Sequence, residues 1–345
     1  MIVCHHAAYK YTPGVTDLAA AFDQHLQLKG RSKGTRTKYT HALAAFAGWA
    51  GELQPGEFTT AEREMYLAAW QANFEAMTGR SPAMATLKAQ VTALRVFYAY
   101  LDRYDLLKNA DGPTKNAMAL IEAPHVPQKA IDWLRADEDE ALLAAAETEA
   151  EQIIVSLLRW TGLRIDEASS LLWSDIHVTP GVRRIIVRTS KTDAGYRTVP
   201  MPPQLVPHIY AWMKHLDADG RWKLNSPVLQ TQTGRPMAHT HIGRVLKRVA
   251  YRAGVRPVEC SCGSPTMTHH FKGCAQSMSG EYRSTISAHT MRRTYGSHLL
   301  NSGVRIEVVS KLLGHSSTTI TEQAYAQLLP STISAELQRV MGWAA

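Results

Sequence analysis

The chain has 345 residues, a mean hydropathy of −0.21 and a formal net charge of +8. These values describe a globular protein with room for two domains, and the lack of any run of about 18 apolar residues excludes a membrane-spanning helix. The first ten residues lack the apolar stretch of a secretory signal, and four cysteines favour a reducing, cytoplasmic compartment over a disulfide scaffold.

The positive charge is concentrated in the second half of the chain. Residues 1–150 hold 15 Lys and Arg against 18 Asp and Glu, whereas residues 151–345 hold 23 against 12. A basic half with clustered arginines favours a polyanionic partner such as nucleic acid, although solubility alone would also account for it.

The first predicted elements are helical. Apolar residues recur at helical spacing within 17–50 and predict two helices there, and Ser81-Pro82 predicts the start of another. Between the first two helices lies a basic segment without an acid, residues 29–38, which contains Thr35 as a candidate cap of the second helix. We therefore expect an all-helical domain over 12–110 and a linker over 111–130. The basic side chains of this segment are Lys29, Arg31, Lys33, Arg36 and Lys38.

The pattern changes in the second part of the chain. Helices are predicted over 137–148, 151–160 and 241–253, and again from residue 288 onward. The β-branched runs 184–188 and 196–199 flank a Gly-containing turn, which is a hairpin signal. Residues 131–345 are therefore expected to form a mainly α domain with a small β-sheet, an α+β arrangement.

Several short segments of this second part carry side chains suited to phosphate chemistry. Guanidinium groups are planar, permanently charged and bidentate, so Arg164 and Arg292 are candidates to hold the oxygens of a phosphodiester under attack. His289 is spaced three residues before Arg292, on one face of a helix that Ser287 would cap. Each residue alone is more often part of an ordinary solvated surface.

Two further candidates complete the set. Lys191 lies at the predicted hairpin turn, where its ammonium can reach a leaving oxygen. Gly314 ends a short helix and leaves His315 on the next turn, with Tyr325 ten residues later. A phenol needs neighbouring cations or a base to act as a nucleophile.

The order R…K…H-x-x-R…G-H…Y resembles the tyrosine recombinase (phage-type integrase) family. The segments TGLRIDEASSLLWSDI, SKTDAGYRTVP, HTMRRTYGSHLLNSG and LLGHSSTTITEQAYAQL resemble its catalytic domain. GTRTKYTHALAAFAGWA and TLKAQVTALRVFYAYL resemble its core-binding domain, so the resemblance covers roughly residues 12–340.

The resemblance implies a role for each matching residue. Tyr325 would be the nucleophile that forms a 3′-phosphotyrosine bond. Arg164 and Arg292 would clamp the scissile phosphate, and Lys191 would protonate the 5′-oxygen that leaves.

The resemblance also implies supporting groups and partners. His289 would act in acid–base catalysis, His315 would bind the phosphate, and Glu167 would orient the site. Neither ATP nor a metal would be required, because the covalent link conserves the bond energy. The partner would be a double-stranded DNA recombination site, clamped between the two domains with help from the basic segment.

The family resemblance further implies a homotetramer on paired sites, with a monomer or dimer when free. A C-terminal tail helix is predicted over 331–343, and it would pack either on its own domain or, as the tetramer favours, on a neighbouring protomer.

Three departures from the family pattern stand out. The spacing from His315 to Tyr325 is one residue longer than usual, and Arg293 replaces a more common histidine. Segment 257–287 is longer than usual and holds a Cys/His group that is either a structural zinc site or part of an extended loop with free thiols. The candidate zinc ligands are Cys260, Cys262, Cys274, His269 and His270.

Two alternatives to a recombinase stay open at the level of sequence. A type IB topoisomerase would use the same chemistry to relax supercoils, but the N-terminal helical domain and the C-terminal tail favour a recombinase. A DNA-binding relative without cleavage activity is favoured only by the shifted Tyr325. The DNA target and the biological role, whether phage integration, dimer resolution or transposition, do not follow from the residues.

Overall fold

The computed structural model describes residues 14–51, 53–109, 112–119, 121–126, 132–179, 181–188, 196–258 and 284–325. The chain divides into two compact units, Met1–Lys129 and Ala130–Ala345. Within the described residues, no helix has both the length and the apolar character needed to cross a membrane.

The first unit is a helical bundle with an aromatic core. Its helices are α1 (Val15–Leu28), α2 (Lys33–Ala50), α3 (Thr60–Thr78) and α4 (Met84–Arg103), followed by the two-residue strands β1 (Lys108–Asn109) and β2 (Gly112–Pro113). Phe46 and Phe97 are completely buried, and edge-on ring contacts join Phe46 to Tyr66 and Phe97 to Phe22. Such contacts favour one fixed packing of the bundle.

The start of α2 differs in detail from the prediction. Ser32, not Thr35, is the N-cap, and its hydroxyl accepts a hydrogen bond from the Thr35 backbone N–H at 3.3 Å. The helix therefore begins at Lys33, and part of the basic segment lies on its first turns. The helix that follows Ser81-Pro82 begins two residues later than expected, at Met84.

The second unit is mainly helical. Its first helices are α5 (Ala136–Ala144), α6 (Glu149–Thr161) and α7 (Ile165–Ser170). After a small sheet come α8 (Val206–Ala218), α9 (His239–Arg252), α10 (Ala288–Asn301), α11 (Ile306–Leu313) and α12 (Thr318–Tyr325).

The sheet of the second unit has three antiparallel strands in the order β3 (Ile176–Thr179), β4 (Val182–Val187) and β5 (Arg197–Pro200). Ile185 of β4 lies opposite Ile176 on one side and Val199 on the other. The predicted hairpin is thus confirmed as β4 and β5, and β3 adds a strand that was not predicted. A mainly α fold with a small antiparallel sheet is confirmed as well.

Helix α6 is the centre of the second unit, packing against α8, α9 and α10. Its apolar residues are buried, and one acid at its start is buried with them. Glu151 is 2% exposed and accepts hydrogen bonds from Arg248 and Arg252 of α9 at 2.8 and 2.9 Å. Burial opposes its ionisation, but these two arginines outweigh burial and lower the pKa of Glu151 to about 2.

Candidate active site

Arg164 lies at the sharp junction between α6 and α7. α6 ends at Thr161, and Gly162 follows in the left-handed conformation with φ +60°. A Cβ on Gly162 would lie 2.4 Å from Cδ1 of Tyr295, so both the backbone conformation and the space require glycine. The turn makes Arg164 the N-cap of α7 and leaves its side chain 36% exposed, which allows its guanidinium to reach a ligand.

Glu167 is the buried acid that orients Arg164. Its carboxylate accepts hydrogen bonds from the backbone N–H and from Nη1 of Arg164, both at 2.8 Å. The other guanidinium nitrogen, Nη2, donates to the carbonyl oxygen of Gly314 at 2.7 Å. Burial opposes the ionisation of Glu167, but hydrogen bonds from Arg197 and Arg164 outweigh it and hold the pKa of Glu167 below its ordinary value.

Arg292 is buried within the second unit and is held by two backbone carbonyls. It lies on α10, which begins after the predicted N-cap Ser287, whose hydroxyl accepts a hydrogen bond from the Thr290 backbone N–H at 3.2 Å. Nη1 donates to Gly162 O at 2.7 Å, and Nη2 donates to Leu313 O. Arg292 therefore ties together the two turns that carry Arg164 and His315. Burial and the neighbouring arginines lower the pKa of Arg292 to about 9, so it remains a cation at neutral pH.

The two histidines of the site are both neutral at pH 7. His315 follows the left-handed cap Gly314, and its Nδ1 lies 2.7 Å from Oγ1 of Thr321 on α12. Burial, together with Arg292 and other nearby cations, lowers the pKa of His315 to about 4. His289 is exposed on the first turn of α10, where partial desolvation of its ring and the charge of Arg293 hold its pKa below the ordinary value.

Tyr325 is the last residue of α12 and is 2% exposed. Its ring packs with Leu300, Val309 and Leu313. Its hydroxyl lies against the backbone of Gly296, where a Cβ would be 2.1 Å from Oη. Burial raises the pKa of Tyr325 to about 12, although the charges of Arg292 and Arg293 act in the opposite direction. The phenol is thus protonated and packed away while lying within the field of the site arginines.

The structure brings most of the predicted site residues together. Arg164 and Glu167 are in direct contact, and Arg164 and Arg292 both bond the backbone at the turn before His315. The charges of these arginines act on both histidines, and that of Arg292 on Tyr325. Several predicted residues fall outside the described residues, namely Lys191, the tail 331–343, Cys260, Cys262, Cys274, His269 and His270.

Arg197 is a site residue that the sequence reasoning missed. It lies on β5, and its guanidinium donates two hydrogen bonds to the Glu167 carboxylate, each 2.9 Å long. The alternation of the strand could have identified Arg197. Side chains of a strand alternate between its two faces, so Arg197 shares the buried face with Val199, while Thr198 is exposed. A charged residue on the core face of a strand needs a buried partner, which the local sequence does not identify.

The predicted basic segment is mostly free of internal ion pairs among the described residues. Lys29, Arg31, Lys33 and Lys38 are exposed. Arg36 differs, because it forms a two-pronged ion pair with Asp23 of α1 through its Nε and Nη2. Within the described part of the chain, no group of three or more His, Cys, Asp or Glu could hold a metal ion.

Comparison with known proteins agrees with this geometry. The model of the phage integrase family matches residues 132–331, which is more than half of the chain. A tyrosine recombinase XerC of Mycobacterium bovis is 29% identical over 329 residues, covering 92% of this chain and 96% of the relative. A tyrosine recombinase of Thermosipho africanus is 27% identical over 249 residues, covering 71% of this chain and 72% of the relative.

Solved structures share the fold at low sequence identity. The Tn1549 transposon integrase in complex with transposon right end DNA has a TM-score of 0.66 at 18% identity, over 95% of this chain and 100% of that one. A lambda integrase tetramer bound to a Holliday junction has a TM-score of 0.63 at 17% identity, over 90% of this chain and 80% of that one. With the family match over the whole candidate site, this chain belongs to the phage integrase family, the tyrosine recombinases, and is a DNA breaking–rejoining enzyme.

Proposed function

We propose that this chain is a site-specific recombinase in which Tyr325 attacks a DNA phosphodiester. The observation that supports the proposal most strongly is that Arg164 and Arg292 donate to adjacent backbone carbonyls, those of Gly314 and Leu313, in the turn before His315. These contacts hold two guanidinium groups and an imidazole close to one turn, which supports the binding of a single phosphate there.

The reaction would begin with transfer of the Tyr325 proton. Neutral His289 can accept a proton at pH 7, since its pKa lies below the ordinary value. The phenolate oxygen would form a bond to phosphorus as the bond from phosphorus to the 5′-oxygen breaks, leaving a 3′-phosphotyrosine. Lys191 would give the leaving oxygen its proton, so that a free 5′-hydroxyl remains to attack the phosphotyrosine of a partner strand. Arg164, Arg292 and His315 would stabilise the charge that develops on the non-bridging oxygens.

Tyr325 must leave its apolar packing before it can attack. Its hydroxyl lies against Gly296 rather than at an open surface, and burial raises its pKa to about 12. We infer that DNA binding displaces α12 enough to bring the hydroxyl to the phosphate, where Arg164 would add its charge to that of Arg292 and favour the phenolate.

The proposed chemistry needs neither ATP nor a metal, because each bond broken is replaced by one of similar energy. A structural zinc ion in segment 257–287 is a separate proposal, supported by the Cys/His composition of that segment. Treatment with a chelator distinguishes a structural zinc ion from a catalytic one. Removal of a structural ion should destabilise segment 257–287 but leave the cleavage reaction itself possible.

The proposed partner is a double-stranded DNA recombination site, and four copies of this chain would assemble on two paired sites. The chain would act in the cytoplasm and would be a monomer or dimer when free of DNA. The lambda integrase tetramer on a Holliday junction, which shares the fold, supports this arrangement. The exposed Lys29, Arg31, Lys33 and Lys38 are proposed to contact the phosphate backbone.

A nicked suicide substrate tests the central proposal. DNA flanking the gene is first screened for a specifically bound site, and a nick then lets the cleaved fragment diffuse away and traps the covalent complex. We expect a covalent band on a denaturing gel for the wild type and for Tyr295→Phe, a matched loss of a neighbouring phenol, but none for Tyr325→Phe. If the wild type binds the site specifically but forms no covalent band, either in EDTA or with added zinc, the chain is a DNA-binding relative that has lost cleavage activity. A covalent band that persists in Tyr325→Phe would show that another residue is the nucleophile.

A further inference from the structure

Arg197 is a third arginine of the candidate site, and it faces inward. Its side chain is 6% exposed, against 36% for Arg164. It stands on the buried face of β5, six residues after Lys191 in the chain. A buried guanidinium carries a large desolvation cost unless all of its donors are used, so its partners indicate what it does.

Among the described residues, Arg197 donates hydrogen bonds to two other elements. Nη1 and Nη2 each donate to one oxygen of the Glu167 carboxylate at 2.9 Å, in the parallel two-pronged geometry that arginine favours. Nε donates to the carbonyl oxygen of Leu312, near the end of α11, at 2.6 Å. One guanidinium therefore joins β5, α7 and the C-terminal end of α11.

Both partners of Arg197 are directly connected to residues that are proposed to bind the phosphate. Glu167 bonds the Arg164 guanidinium at 2.8 Å, and Leu312 precedes Leu313, whose carbonyl accepts a bond from Arg292. The guanidinium also lies against Gly314, where a Cβ would be 2.9 Å from Nη1 of Arg197. The turn that presents His315 is thus fitted around Arg197.

We propose, on the basis of the function proposed above, that Arg197 is a positioning residue for the phosphate-binding groups Arg164 and His315. It holds Glu167, which sets the direction of the Arg164 guanidinium, and it fixes the end of α11, which sets the place of His315. Its own nitrogens contact protein groups, so its effect on DNA cleavage is indirect.

The structure explains why lysine cannot replace this arginine. A lysine ammonium is a compact charge without the fixed fork that spans two carboxylate oxygens and a third acceptor. Arg197→Lys keeps the charge and most of the length but removes the fork, whereas Arg197→Ala leaves a space that free guanidinium ion can enter. Arg184→Ala on β4 is the matched control, since Arg184 is an exposed arginine of the same sheet.

The experiment measures the single-turnover rate of covalent complex formation and, separately, the dissociation constant for DNA. We expect Arg197→Lys and Arg197→Ala to lower the rate by about 10- to 100-fold, since misplaced catalytic groups act on the rate rather than on binding. DNA affinity should change less than about twofold, because the side chains that bind the phosphate backbone remain in place. Millimolar guanidinium, compared with sodium chloride at equal ionic strength, should restore part of the rate of Arg197→Ala but none of Tyr325→Phe. Arg184→Ala should keep the wild-type rate.

Several results would overturn the proposal. A wild-type rate in both Arg197 variants would show that the fork is dispensable, and a rate loss that follows weaker DNA binding would indicate direct phosphate contact. If the rate of both variants falls in proportion to a drop in their melting temperature, and guanidinium does not restore it, the ion pair of Arg197 and Glu167 has only a structural role. If the wild type itself forms no covalent complex, the proposed function fails, and amide hydrogen exchange decides the positioning role. In that case Arg197→Ala should accelerate exchange at 312–315 while Arg184→Ala does not, and equal exchange in the two would reject the proposal.

Discussion

The histidines of the candidate active site owe their neutral state to partial desolvation of their rings and to the arginines around them. The pKa of His315 is lowered most, first because its ring is desolvated by burial and then because Arg292, Arg164 and Arg197 disfavour a further positive charge beside it. A neutral imidazole can donate one hydrogen bond and accept another, which suits contact with a phosphate oxygen on one side and Thr321 on the other. The arginines thus set both the charge of the site and the protonation of its other groups.

The depressed pKa of His315 makes the folded state sensitive to acid. Its pKa is about 4 when folded and near the ordinary value of 6.5 when unfolded, so the unfolded chain binds more protons between these values. The contribution to stability is therefore fully present above pH 6.5 and is lost as the pH falls toward 4. We expect the wild type to lose more stability than His315→Gln between about pH 7.5 and about pH 5, measured by urea unfolding of the full chain. Equal losses in the two proteins would contradict this account.

At the scale of elements, the contact between α10 and α12 decides where Tyr325 lies. Gly296 of α10 leaves the space that the Tyr325 hydroxyl occupies. This packing explains why a glycine stands in the middle of the helix. The cost of that glycine to the helix is about 0.5–1 kcal/mol relative to alanine. The place of the Tyr325 hydroxyl therefore depends on the absence of a methyl group at position 296.

Two matched substitutions test this contact. Gly296→Ala would place its Cβ 2.1 Å from Oη of Tyr325, whereas a Cβ on Gly243 of α9 meets nothing within 4 Å. We expect Gly296→Ala to lower the free energy of unfolding by about 1–3 kcal/mol through overpacking. Gly243→Ala should raise it by about 0.5–1 kcal/mol through helix propensity alone. Denaturant unfolding measures both, and a stabilised Gly296→Ala would show that α12 does not need this space.

Elements with a strong local pattern were predictable from the sequence, and the others were not. β4 and β5 flank a turn and are β-branched, so the hairpin was evident. α3 was missed because it buries only Tyr66 and therefore has no apolar stripe, although its cap Thr59 and Glu62 follow the capping pattern. β3 was missed because it has four residues and no fully buried side chain.

In the candidate site too, residues within a recognisable segment were predictable, whereas contacts between residues distant in the sequence were not. Arg164, Arg292 and His315 were found because their local segments match a known order. Arg197 was missed because its partner Glu167 is 30 residues away, and only the fold brings the two together. The packing of Tyr325 against Gly296 was equally out of reach, since periodicity gives the face of a helix but not its neighbour.

For the whole molecule, the exposed basic side chains predict how DNA binding responds to salt. Each phosphate that a basic side chain neutralises contributes roughly 0.9 to the slope of log K against log salt concentration. We expect the triple variant Lys29→Gln, Arg31→Gln, Lys33→Gln to reduce that slope by roughly 0.9 for each of these side chains that binds a phosphate. The charge-conserving variant Lys29→Arg, Arg31→Lys, Lys33→Arg should keep it. Fluorescence anisotropy across a salt series measures the slope, and an unchanged slope in the first variant would remove this segment from the DNA interface.

The Glu167 carboxylate, which is bonded by both Arg164 and Arg197, affects whether the site favours the intact phosphodiester or the phosphorane formed during attack. Among the described residues, Arg164 and Arg197 donate hydrogen bonds to the Glu167 carboxylate, and Arg292 lies close enough to feel its charge, so three guanidinium groups share one carboxylate. An intact phosphodiester carries one negative charge, whereas the phosphorane formed by phenolate attack carries two. The positive charge that Glu167 leaves uncompensated therefore attracts the phosphorane more strongly than the intact phosphodiester, so its electrostatic energy is directed to the step of bond exchange rather than to holding uncut DNA.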